Sequence, residues 1–197
     1  MSQSDVNKGR RRFLVGTTSA IGAVGAVGIA TPFVASWKPS AKAKAAGAPV
    51  KVDISKLETG QQMIVEWRGQ PVWVVKRSKE TLDNLNKISD QLSDPSSEKE
   101  QQPEYAQNAY RSIKPEIAVL LGICTHLGCS PTYRPELAPE DLGPEWVGGY
   151  FCPCHGSRFD LAGRVYKSVP APINLLVPPY QYLSDNVILI GDDGGKA

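Results

Sequence analysis

The 197-residue sequence predicts a single N-terminal transmembrane helix followed by an all-β head, built of antiparallel sheets with one inserted, site-bearing subdomain and one short helix. Three observations predict it. Phe13 to Trp37 holds no charged residue and follows a run of arginines. From residue 50 onward, short apolar or alternating runs recur between turn residues, the pattern of an all-β domain. Two short boxes, Cys124-Thr125-His126-Leu127-Gly128-Cys129 and Cys152-Pro153-Cys154-His155-Gly156-Ser157, contain every cysteine and every histidine of the chain.

The chain opens polar and reaches Gly9-Arg10-Arg11-Arg12-Phe13-Leu14. Arg10 and Arg11 before Phe-Leu resemble a twin-arginine export signal, a route for proteins already folded around a cofactor. Residues 1–12 are expected to stay in the cytoplasm, because basic residues ahead of an apolar run are retained on that side. At about 1.5 Å per residue, the 13–37 run reaches roughly 37 Å as a helix, enough for a hydrocarbon core of about 30 Å. Its Gly, Ala, Ser and Thr content favours packing against partner helices. Pro32 is expected to kink it or mark its distal end. A cleaved signal peptide is the alternative, given Ala43-Lys44-Ala45, but the apolar run exceeds the roughly 7–15 residues of a signal core. Residues 38–50 are rich in Ala, Lys, Gly and Pro, cannot bury a core, and read as a flexible tether. The head occupies 51–197, with the inserted subdomain at about 122–174.

Within the head, Val50 to Ile54 alternates like a strand, and Gln62–Trp67 with Pro71–Lys76 reads as a hairpin turning at Arg68-Gly69-Gln70. Trp67 and Trp73 belong to sheet packing. Leu82, Leu85, Ile88 and Leu92 fall at helical spacing after Ser78. Ser93 to Gln107, charged and proline-bearing, reads as an exposed loop, and Glu116 to Ile123 as a strand delivering Cys124. The 22 residues between the boxes hold four prolines and Trp146, a compact lid-like loop on the side of the boxes. Ser157–Asp160 and Gly163–Tyr166 read as a second hairpin, Leu175–Val177 and Asn186–Ile190 as closing strands, and the tail from Gly191 as frayed.

In chemical terms, Cys124 with His126 and Cys152 with His155 offer two thiolates and two imidazoles, a donor set for tetrahedral zinc or for an iron–sulfur centre. Zinc ligands usually sit in Cys-x-x-Cys knuckles, which neither box supplies. Cys152 and Cys154 are also too closely spaced for a thioredoxin-like pair. If the outer four residues hold a metal centre, the two loops lie side by side and Cys129 and Cys154 come within reach of a disulfide. An oxidising compartment for the head would follow. Residues 1–51 carry eight Lys or Arg against one Asp, a net +7, whereas the remainder carries 14 basic and 19 acidic residues, a net −5. An acidic head on a basic stub is not a nucleic-acid binder.

The two boxes resemble those of the Rieske iron–sulfur proteins of quinol–cytochrome c oxidoreductases, the respiratory cytochrome bc complexes, over nearly the whole chain. The resemblance implies one [2Fe–2S] cluster per chain, held by Cys124, His126, Cys152 and His155, with two histidines replacing two cysteines on one iron. It implies a Cys129–Cys154 disulfide, which points to the quinol-oxidising branch rather than to Rieske ferredoxins or ring-hydroxylating oxygenases. It gives His155 the catalytic role of taking a proton from quinol, with His126 a second exposed candidate. Leu127 would shield the cluster, Ser157 would donate a hydrogen bond to a cluster sulfur, and Val169-Pro170-Ala171-Pro172 would be the covering proline loop, where a glycine is usual at the place of Val169. Many relatives place a tyrosine where Phe159 stands, so a lower potential is expected here. Implied partners are a cytochrome b subunit, a c-type cytochrome and quinol, in a dimeric complex of a bacterial inner membrane, with the head periplasmic and the tether acting as a hinge. A second reading is an exported Rieske electron carrier for another oxidoreductase, such as an arsenite oxidase.

Overall fold

The computed structural model describes residues 7–195. The chain divides into two compact units between Ala45 and Ala46, inside the expected tether. In the first, α1 runs from Lys8 to Ser36, capped by the Asn7 side chain, which accepts from the Arg10 backbone N–H at 3.0 Å. With a mean hydropathy of 1.8 over its most apolar window, this helix is long and apolar enough to cross a membrane. Pro32 neither ends nor begins it: the helix continues one turn further. The tether is not uniformly extended. Ala41–Ala46 forms a short helix, α2, as expected of an alanine–lysine run, started by Ser40, whose Oγ accepts from the Ala43 N–H.

The second unit is an all-β head of three antiparallel three-stranded sheets. The first pairs β1 (Val50–Asp53) with β9 (Val187–Ile190) and β9 with β8 (Tyr180–Ser184). The second is β2 (Gln62–Trp67), β3 (Gln70–Lys76) and β4 (Ile117–Leu121) in that order. The third is β5 (Thr132–Arg134), β6 (Gly149–Cys152) and β7 (Ser157–Asp160). The β2–β3 turn forms at Arg68 and Gly69, both at positive φ, the geometry that matches strand twist in a two-residue hairpin. Val72–Val75 and all of β4 are buried, so the second sheet is covered on both faces there, whereas β2 is partly exposed. A single core cluster draws on every sheet, from Val52 and Ile188 through Val74 and Leu120 to Tyr150 and Phe159. The nine-residue helix α3 (Lys79–Lys87) is capped by Ser78, whose Oγ accepts from the Thr81 N–H.

Several expectations are corrected. The helical spacing through Leu92 is cut at Lys87: a 3-10 turn follows, and Leu92 instead bridges to Tyr166. Ser93 to Gln107 is an exposed loop only in part. Ala106 is buried, and so are Asp94, Ser97 and Gln101, whose polar groups find partners inside. Asp94 accepts from the Glu98 and Lys99 N–H groups, and the Gln101 side chain accepts from the Asn174 N–H. Leu175–Val177 is not a strand, since its backbone bonds go to three different places, Gly163, Leu121 and Gln101, and Pro178-Pro179 follow without donors. The strand that closes the sheet is Tyr180–Ser184. Trp146 does not cover the boxes: it is buried with Ile88, Leu92, Leu142 and Tyr166, and donates to the Arg134 carbonyl. The second hairpin survives only in part, as a Phe159–Val165 bridge. Among the described residues of the tail, Asp193 is buried.

Buried guanidinium groups tie the long 93–116 connection to the end of β7. Arg77 donates to the Pro115, Tyr110 and Leu161 carbonyls and to Ser112, and Arg111 to the Ala162 and Gly163 carbonyls. Arg164 pairs with Asp160 at 2.7 Å, both fully buried, while Asp160 also accepts the Ala162 and Arg164 backbone N–H groups. Burial lowers the Arg77 and Arg111 guanidiniums to about 10.

Candidate metal centre

Each box is a loop set by one strand. The first follows β4 and closes on itself: the Cys124 N–H donates to the Cys129 carbonyl at 2.7 Å and the Gly128 N–H to the Cys124 carbonyl at 3.0 Å. Gly128 stands at φ +83°, where a side chain would be strained. The second box is the turn of the β6–β7 hairpin, opened by Cys152 and closed by its pairing partner Ser157. A disulfide between Cys129 and Cys154, with Cα atoms 6.7 Å apart, locks one loop to the other.

The structure brings the expected ligand residues together in pairs, the two cysteines side by side and the two histidines ring to ring. Cys124 and Cys152 are free and buried. The rings of His126 and His155 meet edge to face with centroids 4.7 Å apart. His126 is half-buried and its Nδ1 lacks a partner among the described residues, whereas His155 is exposed. Burial pushes the Cys152 thiol up; the Cys154 and His155 backbone amides pull it down, and the neighbouring Cys124 raises it again. Two buried thiols and an orphaned buried imidazole nitrogen are costly by themselves and are satisfied by a positively charged centre taking two sulfurs and two nitrogens. The residues therefore fit the group that the boxes imply. The sulfurs of Cys129, Cys152 and Cys154 also lie within 4.8 Å of one another, but two of them are spent in the disulfide, so this triangle is not the ligand set.

The other expected residues fall around this centre. Leu127 stands outward, 71 % exposed, so any shielding it gives is of the outer edge. Ser157 is fully buried; its Oγ accepts from the Ala171 N–H at 3.1 Å, which leaves the hydroxyl hydrogen free to donate elsewhere. Phe159 is fully buried opposite Tyr150, and Pro170 is exposed. Arg10 and Arg11 lie in the first turn of α1.

Trp73 packs in the sheet as expected, but its partners were not foreseen, and Thr125 escaped the sequence reading. Trp73 stacks on Tyr150 with centroids 4.6 Å apart, and a Cβ at Gly122 would overlap its indole. The ring is thus wedged between the stem of the first box and the stem of the second. The small residue at 122, two before an expected ligand, was the available signal. Thr125 donates from Oγ1 to the Ile173 carbonyl at 2.7 Å. Its position between two expected ligand residues was visible, but its partner 48 residues away was not.

Comparison with known proteins agrees with this centre. Residues 49–180 match the Rieske [2Fe-2S] domain, and residues 1–40 match the TAT signal of the ubiquinol–cytochrome c reductase Fe-S subunit. The chain is 62% identical over 197 residues to the ubiquinol-cytochrome c reductase iron-sulfur subunit of Allochromatium vinosum, covering 100% of this chain and 95% of that protein. It is 40% identical over 183 residues to the subunit of the same name from Bradyrhizobium diazoefficiens, covering 92% and 94%. The corresponding protein of Blastochloris viridis is 40% identical over 194 residues, covering 97% and 98%.

Proposed function

Because the chain belongs to the family of Rieske iron–sulfur subunits of ubiquinol–cytochrome c reductases, we propose that it is the membrane-anchored subunit that takes one electron and one proton from quinol and passes the electron to a c-type cytochrome. Cys124 and Cys152 are the sulfur donors and His126 and His155 the nitrogen donors to a [2Fe–2S] cluster. When bound, that cluster supplies one-electron exchange at a potential lifted by its two neutral imidazole ligands. One observation carries the reading: His155 is exposed, beside a half-buried His126 and next to Cys154, whose disulfide ties its loop to the other box.

His155 presents its imidazole to solvent, so it can accept the hydrogen bond of a quinol hydroxyl and then hold the proton. Proton transfer needs heavy atoms within about 2.6–3.2 Å, and the rigid loop keeps the ring where such a contact can form. Leu127, exposed on the adjoining box, offers the apolar surface against which a quinol pocket can close. The basic residues Lys8 and Arg10–Arg12 hold the N-terminus in the cytoplasm and the head in the periplasm, with α1 crossing the inner membrane of a bacterium. Residues 38–50 act as the hinge between an electron-donating position at a cytochrome b subunit and an electron-accepting one, within a dimeric complex.

Electron paramagnetic resonance of reduced membranes tests this directly. The expected outcome is a Rieske-type signal whose line shape changes when a quinol-site inhibitor is added. Purified protein without iron and acid-labile sulfide would refute it. Rigid crosslinking of residues 38–50 is expected to leave the signal intact and stop turnover.

A further inference from the structure

The chain leaves β9 through Gly191-Asp192-Asp193-Gly194-Gly195. All three glycines stand at positive φ, so the backbone turns sharply along a path that most side chains disfavour. Its start is fixed: the Gly191 N–H donates to the Pro179 carbonyl at 2.7 Å, and a Cβ at Gly191 would overlap the Trp67 indole. Each aspartate then braces the turn after it. Asp192 Oδ1 accepts from the Gly194 N–H at 2.8 Å, and Asp193 Oδ1 accepts from the Gly195 N–H at 3.0 Å.

The two carboxylates differ in what is left over. Asp192 stands in solvent, whereas Asp193 is 8 % exposed, and its Oδ2 is buried with no hydrogen-bond partner among the described residues. Among those residues, no lysine or arginine pairs with either carboxylate. A buried carboxylate oxygen with neither donor nor counter-charge is costly, and buried charges are as a rule paired or bound to a metal. The field of this one is felt nearby: burial, and then the Asp193 charge, push the Tyr105 hydroxyl up to about 12. The Gln181 side chain of β8 rests against the same turn, its Oε1 3.0 Å from where a Cβ of Gly194 would stand. Two carboxylates and an amide oxygen are hard donors, with no sulfur or imidazole among them.

We propose that Asp193, with Asp192 and the Gln181 side-chain oxygen, binds a divalent cation of the calcium class just beyond β9. The cation neutralises the buried carboxylate and fastens the end of the chain to β8, which secures the sheet in which β9 also holds β1. Three side-chain donors fall short of the six to eight oxygens that calcium takes, so water and backbone carbonyls complete the shell. Such a site belongs in the affinity range of about 0.1–1 mM typical of extracellular modules. It is separate from the two cysteine–histidine boxes and does not rest on the proposed function.

The test uses the full chain in detergent, freed of divalent cations with chelator and then titrated with calcium. The melting temperature is expected to rise by about 3–5 °C at ten times the dissociation constant, as binding to the folded state alone requires. Terbium(III), a calcium substitute excited through nearby aromatic rings, should luminesce on binding and be displaced by calcium. Asp193→Asn keeps the size of the side chain and removes its charge; it should abolish the rise and weaken terbium binding at least tenfold. Asp192→Asn, at an exposed position that folding does not depend on, should move the calcium midpoint upward about tenfold. Calcium should also slow hydrogen–deuterium exchange of the Gly191–Gly195 amides in the unsubstituted protein, a readout that stands even where Asp193→Asn fails to fold. A melting temperature and tail exchange unmoved by calcium up to about 10 mM would overturn the proposal, since that is well above the range expected. An unchanged calcium response in both variants would overturn it equally, because the cation would then be bound elsewhere.

Discussion

The indole of Trp73 stacks on the phenol ring of Tyr150, with centroids 4.6 Å apart and planes 19° from parallel. Trp73 comes from β3 of the second sheet and Tyr150 from β6, two residues ahead of Cys152. The same indole fills the space left by Gly122, two residues ahead of Cys124. One ring therefore spaces the two stems that deliver the boxes. Trp73→Ala is expected to cost about 3–5 kcal/mol through the cavity it leaves. Thermal denaturation should show a large fall in melting temperature; a shift of only a degree or two would contradict the spacer role.

The Cys129–Cys154 disulfide closes a 25-residue separation and joins the boxes directly. Replacing both cysteines with serine is expected to cost about 3–4 kcal/mol, the loop-entropy value for that length. The double variant should also lose its cluster faster in chelator, as followed by visible absorbance. Retention at the unsubstituted rate would show that the disulfide does not hold the centre.

Ser157 has a hydroxyl hydrogen free because its oxygen already accepts from Ala171. If that hydrogen stabilises the reduced centre, Ser157→Ala lowers the midpoint potential. Redox titration settles the point, and an unmoved midpoint removes the hydrogen bond from the account.

Phe159 is sealed in the core, opposite Tyr150 and bridged to Val165, with no polar atom of its own. Phe159→Tyr adds one hydroxyl on the strand that follows the second box. The expected outcome is a higher midpoint potential than that of the unsubstituted protein, measured by the same titration. A midpoint that stays or falls counts against Phe159 as the cause of a low potential.

Burial raises the hydroxyls of Tyr105 and Tyr182 to about 12, and those of Tyr150, Tyr166 and Tyr180 are raised by burial as well. An unfolded chain ionises its tyrosines near pH 10. The folded head keeps the proton longer, so this contribution is fully present below about pH 10 and is lost as pH rises toward 12 and beyond. Melting temperature should be flat to about pH 9 and then fall. Phenolate absorbance is expected to appear together with loss of the β signal in circular dichroism. Complete ionisation with the sheets intact would be incompatible with these tyrosines being buried.

By itself, the sequence determined the chemistry and the local shapes. With four cysteines and two histidines confined to two boxes, no other donor set was possible for a soft-ligand centre. The β2–β3 turn at Arg68-Gly69 and the Ser78 cap were readable because they depend on a few adjacent residues. Only the tertiary structure decided which distant groups complete the site. Polar and proline-bearing segments looked like solvent-exposed connections, yet Asp94, Gln101 and Asn174 are buried because each meets a partner about 70 or more residues away or closes its own turn. The wedge of Trp73 and the Thr125–Ile173 fastening follow the same rule. Composition fixes what a side chain can donate or bury, whereas the partner that satisfies it is chosen by the packing of strands far apart in the chain.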